Sequence, residues 1–313
     1  MTQQSRERIE MNKNSTYTLV VAIVTLLSGC INSDLSHCGK QAQLVIKAVN
    51  KYGDDITPSG ATGDVMLFVF DDENRFLSHQ YLPVQDIRDR RNIEVKLRSG
   101  EAFRYVAWSN ISDTVKMFDF DPNWLLSQNK VKPLALSDNI VSIPADIFYG
   151  RKRMSCADDE YSPVTELVIK RSVAQIHVAV VGMPAGDSPG QYLVVLSDKE
   201  DKLNFENQIL LLGGNGIYVK KAMWFQKGVM MGIEDAFRAL PSLGGAKTVS
   251  LYKGQQVVAA VTHDIENKPI APRADERINV LINLNQDNPS ETAGVEMRMV
   301  VSDWDEVVEW KEW

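Results

Sequence analysis

Residues 93–108, Ile-Glu-Val-Lys-Leu-Arg-Ser-Gly-Glu-Ala-Phe-Arg-Tyr-Val-Ala-Trp, contain the pattern that decides the fold. Apolar and polar side chains alternate over residues 93–97, residues 98–101 have the composition of a turn, and residues 103–108 form a second strand-like run. A period of two residues is typical of a strand with one buried face. The stretch therefore predicts a hairpin in an antiparallel sheet.

The same alternation continues on both sides of this hairpin. Residues 44–49 alternate, and residues 65–70 form a fully apolar strand that ends in a turn cluster at residues 71–74. Further strands are predicted at residues 164–170, 172–182, 191–196, 216–220, 248–252, 256–262, 277–284 and 294–301. The one helix candidate is residues 233–240, which Pro241 ends. Many short strands with few helical stretches indicate an all-β protein made of β-sandwiches.

An apolar segment near the amino terminus predicts a lipoprotein signal peptide. Residues 17–27 are mostly apolar, follow the basic Lys13, and lead through Ser28 and Gly29 to Cys30. A spanning helix needs roughly 20 apolar residues, whereas a signal peptide core has about 7 to 15. We therefore expect residues 1–29 to be a signal peptide with Met11 as its true start. A cleaved secretory signal with an incidental cysteine, or an uncleaved anchor helix, is the alternative.

Cys30 is the predicted lipidation site. Its thiol would carry a diacylglycerol, and the amine freed by cleavage can take a further acyl chain such as palmitate. A single acyl chain binds a membrane only marginally, whereas two or three give lasting attachment. Residues 30–40 are largely polar and predict a lipidated tether, of which ten residues span at most ~35 Å. The folded body would then lie close to the membrane.

Chain length predicts two folded domains. Without residues 1–29 the chain has 284 residues (313 minus 29), more than a single hydrophobic core usually organises. Residues 151–162 are polar and include the acidic run 158–160, as expected of a boundary. We predict an amino-terminal β-sandwich over residues 41–155 and a carboxy-terminal β-sandwich over residues 156–313.

Charge and cysteine content limit the possible partners. The formal charge of −7 becomes −8 without residues 1–29, which carry +1, so nucleic acid and anionic lipid are poor partners. Cys38 and Cys156 are too few for a disulfide framework or a cysteine-based zinc site. A Cys38–Cys156 bridge is permitted in an oxidising periplasm, and two unpaired thiols are the alternative.

Motifs for catalysis or metal binding are missing from the sequence. The four histidines have no second ligand at metal spacing, and His177 alternates within a strand as a packed or surface side chain would. There is no Gly-x-Ser-x-Gly, HExxH or Walker sequence, and the glycine-rich residues 212–216 predict a hairpin turn. We therefore expect no catalytic residues, no metal and no cofactor.

Acidic clusters and tryptophans leave two alternatives open. The carboxylates are concentrated in turns, at residues 71–73, 119–121, 158–160 and 303–305, although a glycosidase pair is defined by distance in space and not by spacing. Asp119, Asp121 and Asn123 alternate as in a calcium loop, but the glycine and the distant glutamate are missing. Six tryptophans belong mostly to a core, yet some could form a sugar platform. A glycan-binding lipoprotein and a lipid-anchored hydrolase are the competing hypotheses.

Three short motifs point to a family. They are residues 146–150 (Asp-Ile-Phe-Tyr-Gly), the pattern Leu167-x-Ile169-x-Arg171-x-Val173-Ala174-x-Ile176-x-Val178, and residues 301–304 (Val-Ser-Asp-Trp). Together with these motifs, the lipobox Leu27-Ser28-Gly29-Cys30 makes the chain resemble the FimB/Mfa-like fimbrial anchor lipoproteins of type V fimbriae in Bacteroidales over roughly residues 30–310. The resemblance implies two transthyretin-like β-sandwiches, attachment to the outer membrane through Cys30, and a non-catalytic place at the base of a fimbria.

The resemblance also implies a partner, the fimbrial shaft subunit. A sandwich with a vacant strand position offers backbone hydrogen bonds and an apolar groove to an extended segment of a neighbouring subunit. The chain ends at residues 309–313, soon after its last predicted strand. We expect the anchor to receive a strand or to dock by a surface, and so to limit the length of the fibre. The opposite polarity stays open.

Overall fold

The computed structural model describes residues 40–97, 102–111, 118–132, 135–137, 140–142, 144–155, 164–199, 202–211, 216–225, 230–284, 295–306 and 308. The predicted signal peptide, Cys30, Cys38, Cys156 and residues 212–215 lie outside these ranges. The described elements are almost all strands, so the expected all-β fold is confirmed. No helix within these ranges is long and apolar enough to cross a membrane.

The first half of the chain forms eleven of the described strands and one short α-helix. The strands are β1 (Lys40–Val49), β2 (Val65–Asp71), β3 (Phe76–Leu82), β4 (Ile93–Leu97), β5 (Ala102–Ser109), β6 (Phe118–Asp119), β7 (Lys130–Val131), β8 (Ala135–Ser137), β9 (Ile140–Val141), β10 (Phe148–Ser155) and β11 (Thr165–Arg171). The α-helix α1 is Val84–Arg88, and single 3-10 turns occur at Thr57–Ser59 and Leu126–Gln128.

The second half contributes the remaining described strands. They are β12 (Ala174–Val181), β13 (Tyr192–Asp198), β14 (Lys202–Asn204), β15 (Ile209–Leu210), β16 (Gly216–Lys221), β17 (Met223–Phe225), β18 (Met230–Gly232), β19 (Phe237–Ala239), β20 (Thr248–Lys253), β21 (Gln256–Val261), β22 (Arg277–Leu284) and β23 (Val295–Ser302). A 3-10 turn, Pro189–Gln191, precedes β13.

The helix predicted at residues 233–240 is wrong. Its centre is strand β19, which pairs antiparallel with the start of β12, Ala174 facing Ala239 and Ile176 facing Phe237. Phe237 and Ala239 are fully buried, with the less buried Arg238 between them. A short apolar run does not distinguish strand from helix by periodicity alone, and here the pairing with β12 decides.

The amino-terminal lobe consists of one seven-stranded sheet and α1. The strand order is β3-β2-β5-β10-β11-β1-β4. The hairpin predicted from residues 93–97 and 103–108 is therefore wrong, because β4 pairs with β1 and β5 pairs with β2 and β10. Side chains from both ends of this order meet in one core, for example Leu67 of β2, Ile46 of β1 and Val95 of β4. The sheet therefore curls around its own apolar face, and Ile87 of α1 packs into the same core.

The carboxy-terminal lobe is a sandwich of two sheets. One sheet has the order β17-β18-β12-β22-β23, with β19 also pairing β12, and the other has the order β21-β20-β13-β16-β9-β8. Both sheets contribute to one core, including Val178 of β12, Val194 of β13 and Val280 of β22. A small sheet, β15-β14-β7-β6, combines strands from both halves of the chain.

The strand pairing moves the predicted boundary between the halves. Strand β11, assigned from the sequence to the second domain, pairs in parallel with β1 from Leu44–Thr165 to Val49–Lys170. It also pairs with β10, so the polar segment before it joins two strands of one sheet and does not separate domains. The change of sheet falls after Arg171, at residues 172–173, and not at residue 156. The division into two domains stays a prediction.

A shared aromatic core connects the two lobes. The outer face of the amino-terminal sheet presents Phe68 and Trp108, and the second half of the chain contributes Phe205 and Trp304 to the same cluster. The rings of Phe68 and Phe205 lie 4.9 Å apart in an edge-on arrangement. Because apolar contacts of this kind exclude water, the lobes pack as one body along this surface.

Candidate functional site

Arg171 lies at the point where the chain passes from one lobe to the other. Along β11, Leu167, Ile169 and Arg171 face the interior, in step with the period of the strand. The next residue, Ser172, donates its backbone N–H to the carbonyl of Ile147, which holds the end of β11 against the start of β10. The alternation that buries Leu167 and Ile169 therefore also buries Arg171, whose side chain is only 4% exposed.

Two carboxylates from different lobes hold this guanidinium. Arg171 Nε donates to both carboxylate oxygens of Asp146 at 3.0 Å, and its Nη1 donates to Asp275 Oδ1 at 2.9 Å. Asp146 precedes β10, whereas Asp275 precedes β22 in the other lobe. The backbone N–H of Asp275 donates to the carbonyl of Val173, which fixes the carboxylate beside the end of β11. We call Asp146, Arg171 and Asp275 the charged junction.

Aromatic rings complete the surroundings of the guanidinium. Its carbon lies 4.4 Å from the centre of the Trp304 ring and 5.0 Å from that of Phe148. A planar cation over a ring face is attracted by the ring quadrupole, and desolvation strengthens the attraction. Trp304 follows β23 and Phe148 begins β10, so the rings also come from both lobes.

The charged junction has more negative than positive groups, because two carboxylates surround one guanidinium. Burial raises the pKa of Asp146 to about 6, while the neighbouring Arg171 and the more distant Arg238 oppose this rise. The carboxylate of Asp275 adds to it. Asp146 is therefore a group that can take up a proton in mildly acid conditions.

A second set of contacts joins the lobes next to the charged junction. The backbone N–H of Lys51, two residues after β1, donates to Asp275 Oδ2 at 2.5 Å. The Lys51 ammonium lies 2.6 Å from Asp303 Oδ1, to which the Tyr52 hydroxyl donates at 2.7 Å. Pairing with Lys51 and Tyr52 lowers the pKa of Asp303. These contacts tie the loop after β1 to the end of β23.

Tertiary structure brings together the three motifs that carry the family resemblance. Asp146 and Phe148 come from the first motif, Arg171 from the second, and Asp303 with Trp304 from the third. Gly150 of the first motif lies where a Cβ atom would be 2.2 Å from the carbonyl oxygen of Val168, so a side chain there would push β10 from β11. Sequence reasoning missed Asp275 and Lys51, for which no local pattern existed.

Acidic side chains in the turns form hydrogen bonds and ion pairs with other residues of the chain. Asp71 pairs with Arg75, and Asp72 accepts from Arg153 of β10 at 2.7 Å. Asp121 accepts from the backbone N–H of Asn123, as in an ordinary polar turn. Among the described residues no three His, Cys, Asp or Glu side chains converge as they would around a metal ion. Residues 158–160 lie outside the described ranges.

Burial limits what the described tryptophans and His177 can bind. Trp108 and Trp304 are buried in the shared core, so neither can form a surface platform for a sugar. Trp224 of β17 is 39% exposed, and Trp310 and Trp313 lie outside the described ranges. His177 is half-buried in β12, and burial lowers its pKa, which agrees with a packed side chain.

Strand β23 is an open edge of the carboxy-terminal lobe. Within the described part of the chain it pairs only with β22, over eight residue pairs from Arg277–Ser302 to Leu284–Val295. Val300 and Val301, on opposite faces of this strand, are 38% and 53% exposed. The Met297 carbonyl on this strand accepts from the backbone N–H of Ile265, and an edge strand of this length is a position where another chain can add a strand.

The chain matches a known protein family and its relatives. The family described as fimbrillin-A associated anchor proteins Mfa1 and Mfa2 matches residues 35–310. The major fimbrium anchoring subunit FimB of Porphyromonas gingivalis strain W83 is 25% identical over 309 residues, which cover 94% of this chain and 96% of FimB. FimB of strain ATCC 33277 is 24% identical with the same coverage.

Solved structures share the fold. The fimbrial anchor protein Mfa2 from Porphyromonas gingivalis superposes with a TM-score of 0.62 at 11% identity, covering 85% of this chain and 98% of Mfa2. A Bacteroides thetaiotaomicron protein for which polysaccharide binding was suggested has a TM-score of 0.61 at 13% identity, covering 86% and 98%. At these identities the likeness concerns the fold alone.

Proposed function

Because the chain belongs to the family of fimbrillin-A associated anchor proteins, we propose that it is a non-catalytic fimbrial anchor subunit. In this role it is attached to the outer membrane by lipid on Cys30, and it holds the base of a fimbria to the cell. The observation that carries the proposal is the family match over residues 35–310, together with FimB relatives that align along almost the whole chain.

The direction of β1 supports an orientation on the membrane. Strand β1 starts at Lys40, ten residues after Cys30, and has ten residues. At about 3.3 Å per residue it covers about 33 Å before reaching the loop that contacts Asp275 and Asp303 of the other lobe. In this orientation the amino-terminal lobe faces the membrane, and the carboxy-terminal lobe is presented to the fibre.

The open edge of β23 is the docking position that we propose for the shaft subunit. A strand added there would gain hydrogen bonds with the backbone groups that alternate residues of β23 direct away from β22, and contacts with Val300 and Val301. An anchor that only receives a strand, and is itself held by lipid, offers no position for a subunit below it. Docking of the anchor would therefore limit the length of the fibre.

Replacement of Cys30 tests the membrane attachment. In the native host, Cys30→Ala removes the acylated thiol, so we expect fimbrial polymer to move from the cells into the medium. The measurement is the ratio of cell-bound to shed polymer, with Cys38→Ser as the matched control. If polymer stays on the cells and no fibre depends on the protein, the anchor proposal fails and glycan binding becomes the hypothesis to test.

Replacement of Val300 and Val301 tests the docking edge. Lysine on an edge strand opposes strand addition, so Val300→Lys with Val301→Lys should lower retention of the fibre on cells while Cys30 stays intact. Leu77→Lys, on the exposed edge strand β3 of the amino-terminal lobe, is the matched control and should leave retention unchanged. Equal retention in both variants would move the docking site away from β23.

A further inference from the structure

Strands β1 and β11 form a parallel pair between the amino-terminal tether and the carboxy-terminal lobe, which is the path along which a pull on an anchored fibre would act. The pair has six residue contacts in register, from Leu44–Thr165 to Val49–Lys170. The chain enters β1 from the amino-terminal tether, and it leaves β11 directly into β12 of the carboxy-terminal lobe. One strand is therefore connected to the tether and its neighbour to the lobe that we assign to the fibre.

The geometry of the lobes determines how such a load acts. The carboxy-terminal ends of β1 and β11 both lie at the charged junction, where Lys51 and Arg171 reach Asp275. Residue 40 lies at the other end of β1, about 33 Å away for ten residues in extended conformation. Tension between residue 40 and the carboxy-terminal lobe consequently runs along the strands, pulling β1 and β11 in opposite directions.

We infer that the parallel pair of β1 and β11 is a mechanical clamp that carries tension in shear. This inference rests on the proposed anchor function. In shear, the hydrogen bonds of all six residue pairs carry the force together and must fail together. In unzipping, the force acts on one bond at a time. Parallel ladders have evenly spaced bonds, so sharing of the load is uniform along the pair.

Side chains reinforce the clamp on its inner face. Leu44, Ile46 and Ala48 of β1 are at most 1% exposed, and Leu167 and Ile169 of β11 are fully buried among them. Sliding β1 by one residue would turn these side chains to the outer face and expose the core. Shear must therefore break apolar packing as well as the ladder.

Asp275 closes the clamp at its loaded end. One carboxylate oxygen accepts from Arg171, the last residue of β11, and the other accepts from the backbone of Lys51, just after β1. The ends of both strands are thus bound to one side chain of the carboxy-terminal lobe. Strand β4 pairs with residues 40–44 of β1 and has no such connection among the described residues, so it resists sliding of β1 without passing the tension to the carboxy-terminal lobe.

Single-molecule force spectroscopy on the full chain tests the clamp. The native cysteines are replaced by serine, and handles are attached at Lys40→Cys with Val300→Cys for shear, or at Lys40→Cys with Val164→Cys for unzipping. Residue 164 lies beside the start of β11, so this second pair opens the ladder from one end. We expect the force that unfolds the amino-terminal lobe to be at least about twofold higher in shear. Equal or lower force in shear overturns the inference.

A backbone variant sharpens the test. The N–H of Ala48 donates to Thr57 and its carbonyl accepts from Ile56, so the backbone groups of Ala48 point away from β11. Alternation then turns the N–H of Lys47 toward β11. Lys47→Pro should lower the shear force, whereas Gln80→Pro on edge strand β3 should not. A shear force that both variants lower equally would mean that general instability, and not the clamp, sets the force.

The force measurement and the anchor proposal can fail separately. Force spectroscopy needs neither lipid nor fibre, so a weak shear response overturns the clamp and leaves the anchor in place. Unchanged fibre retention in the Cys30→Ala variant would instead remove the anchor function, while the measured shear force would stand as a property of the fold.

Discussion

Two buried ion clusters differ in what they connect. In the charged junction, Arg171 joins carboxylates from two lobes, and Asp146 keeps 16% of its side chain exposed. In the carboxy-terminal core, the Lys247 ammonium contacts Asp198, and these side chains are 1% and 0% exposed. Ser197 and Thr248 face each other on β13 and β20, so this second pair joins neighbouring residues of adjacent strands.

The difference shows how position decides the role of a buried charge. A buried ion pair is weak evidence for stability, because desolvation offsets much of the attraction, but removal of one partner is costly. The Lys247–Asp198 pair is balanced and joins two strands that already share a ladder. The charged junction carries an excess carboxylate and joins the ends of β10 and β11 in one lobe to the start of β22 in the other. We expect the first to affect one lobe and the second to affect the connection between lobes.

Arg171→Met should have the largest effect. It leaves Asp146 and Asp275 facing each other without the guanidinium, at a cost of about 3 to 5 kcal/mol in the free energy of unfolding. Because both lobes lose a contact, we expect urea unfolding followed by tryptophan fluorescence to separate into two transitions. Lys170→Met, at the exposed neighbouring position, is the control and should keep the wild-type curve. A single unshifted transition for Arg171→Met would contradict a coupling role.

Lys247→Met should come second, and its effect should stay within the carboxy-terminal lobe. The change leaves Asp198 facing an apolar side chain in the core, so we expect a loss of about 3 to 4 kcal/mol from that lobe's transition alone. Adding Asp198→Leu should restore much of the stability, since apolar replacement of both partners is often neutral. The measurement is amide hydrogen exchange, with the protection of backbone amides compared between the two lobes. Equal loss of protection in both lobes would erase the distinction between the clusters.

Asp146 should produce the smallest effect, seen as a dependence on pH. Its folded pKa of about 6 exceeds its ordinary value of 3.8, so the folded state binds a proton more tightly than the unfolded state. Its contribution to stability is then present below about pH 4 and is lost as pH rises to about 6, by about 1 to 3 kcal/mol at about 1.36 kcal/mol per pKa unit.

The Asp146→Asn variant isolates this group from the other carboxylates. Asparagine can still accept from Arg171, but it does not titrate, so the difference in unfolding free energy between wild type and variant should change between pH 4 and pH 6. A difference that is constant with pH would mean that Asp146 keeps an ordinary pKa.

Most strands followed from local patterns, and the errors have one physical cause. Strands β4 and β5, the apolar β2 and the alternating β12 and β22 lie where the sequence predicts strands, but the predicted hairpin is wrong, because β4 pairs with β1 and β5 pairs with β2 and β10. The predicted helix at residues 233–240 is a strand, because pairing of β19 with β12 outweighs a short and ambiguous local signal. The boundary predicted at residue 156 differs from the observed change of sheet for the same reason. A polar connecting segment has the same composition whether it joins two strands of one sheet or two domains.

By itself, the sequence determined the all-β class, the buried face of most strands and the motifs that indicate the family, because alternation and short motifs are local properties. Only tertiary structure decided that β11 pairs with β1 and that Asp146, Arg171 and Asp275 meet. Arg171 is 25 residues from Asp146 and 104 residues from Asp275 along the chain. Contacts at such separations depend on how the whole sheet closes, and no local pattern in one sequence encodes that closure.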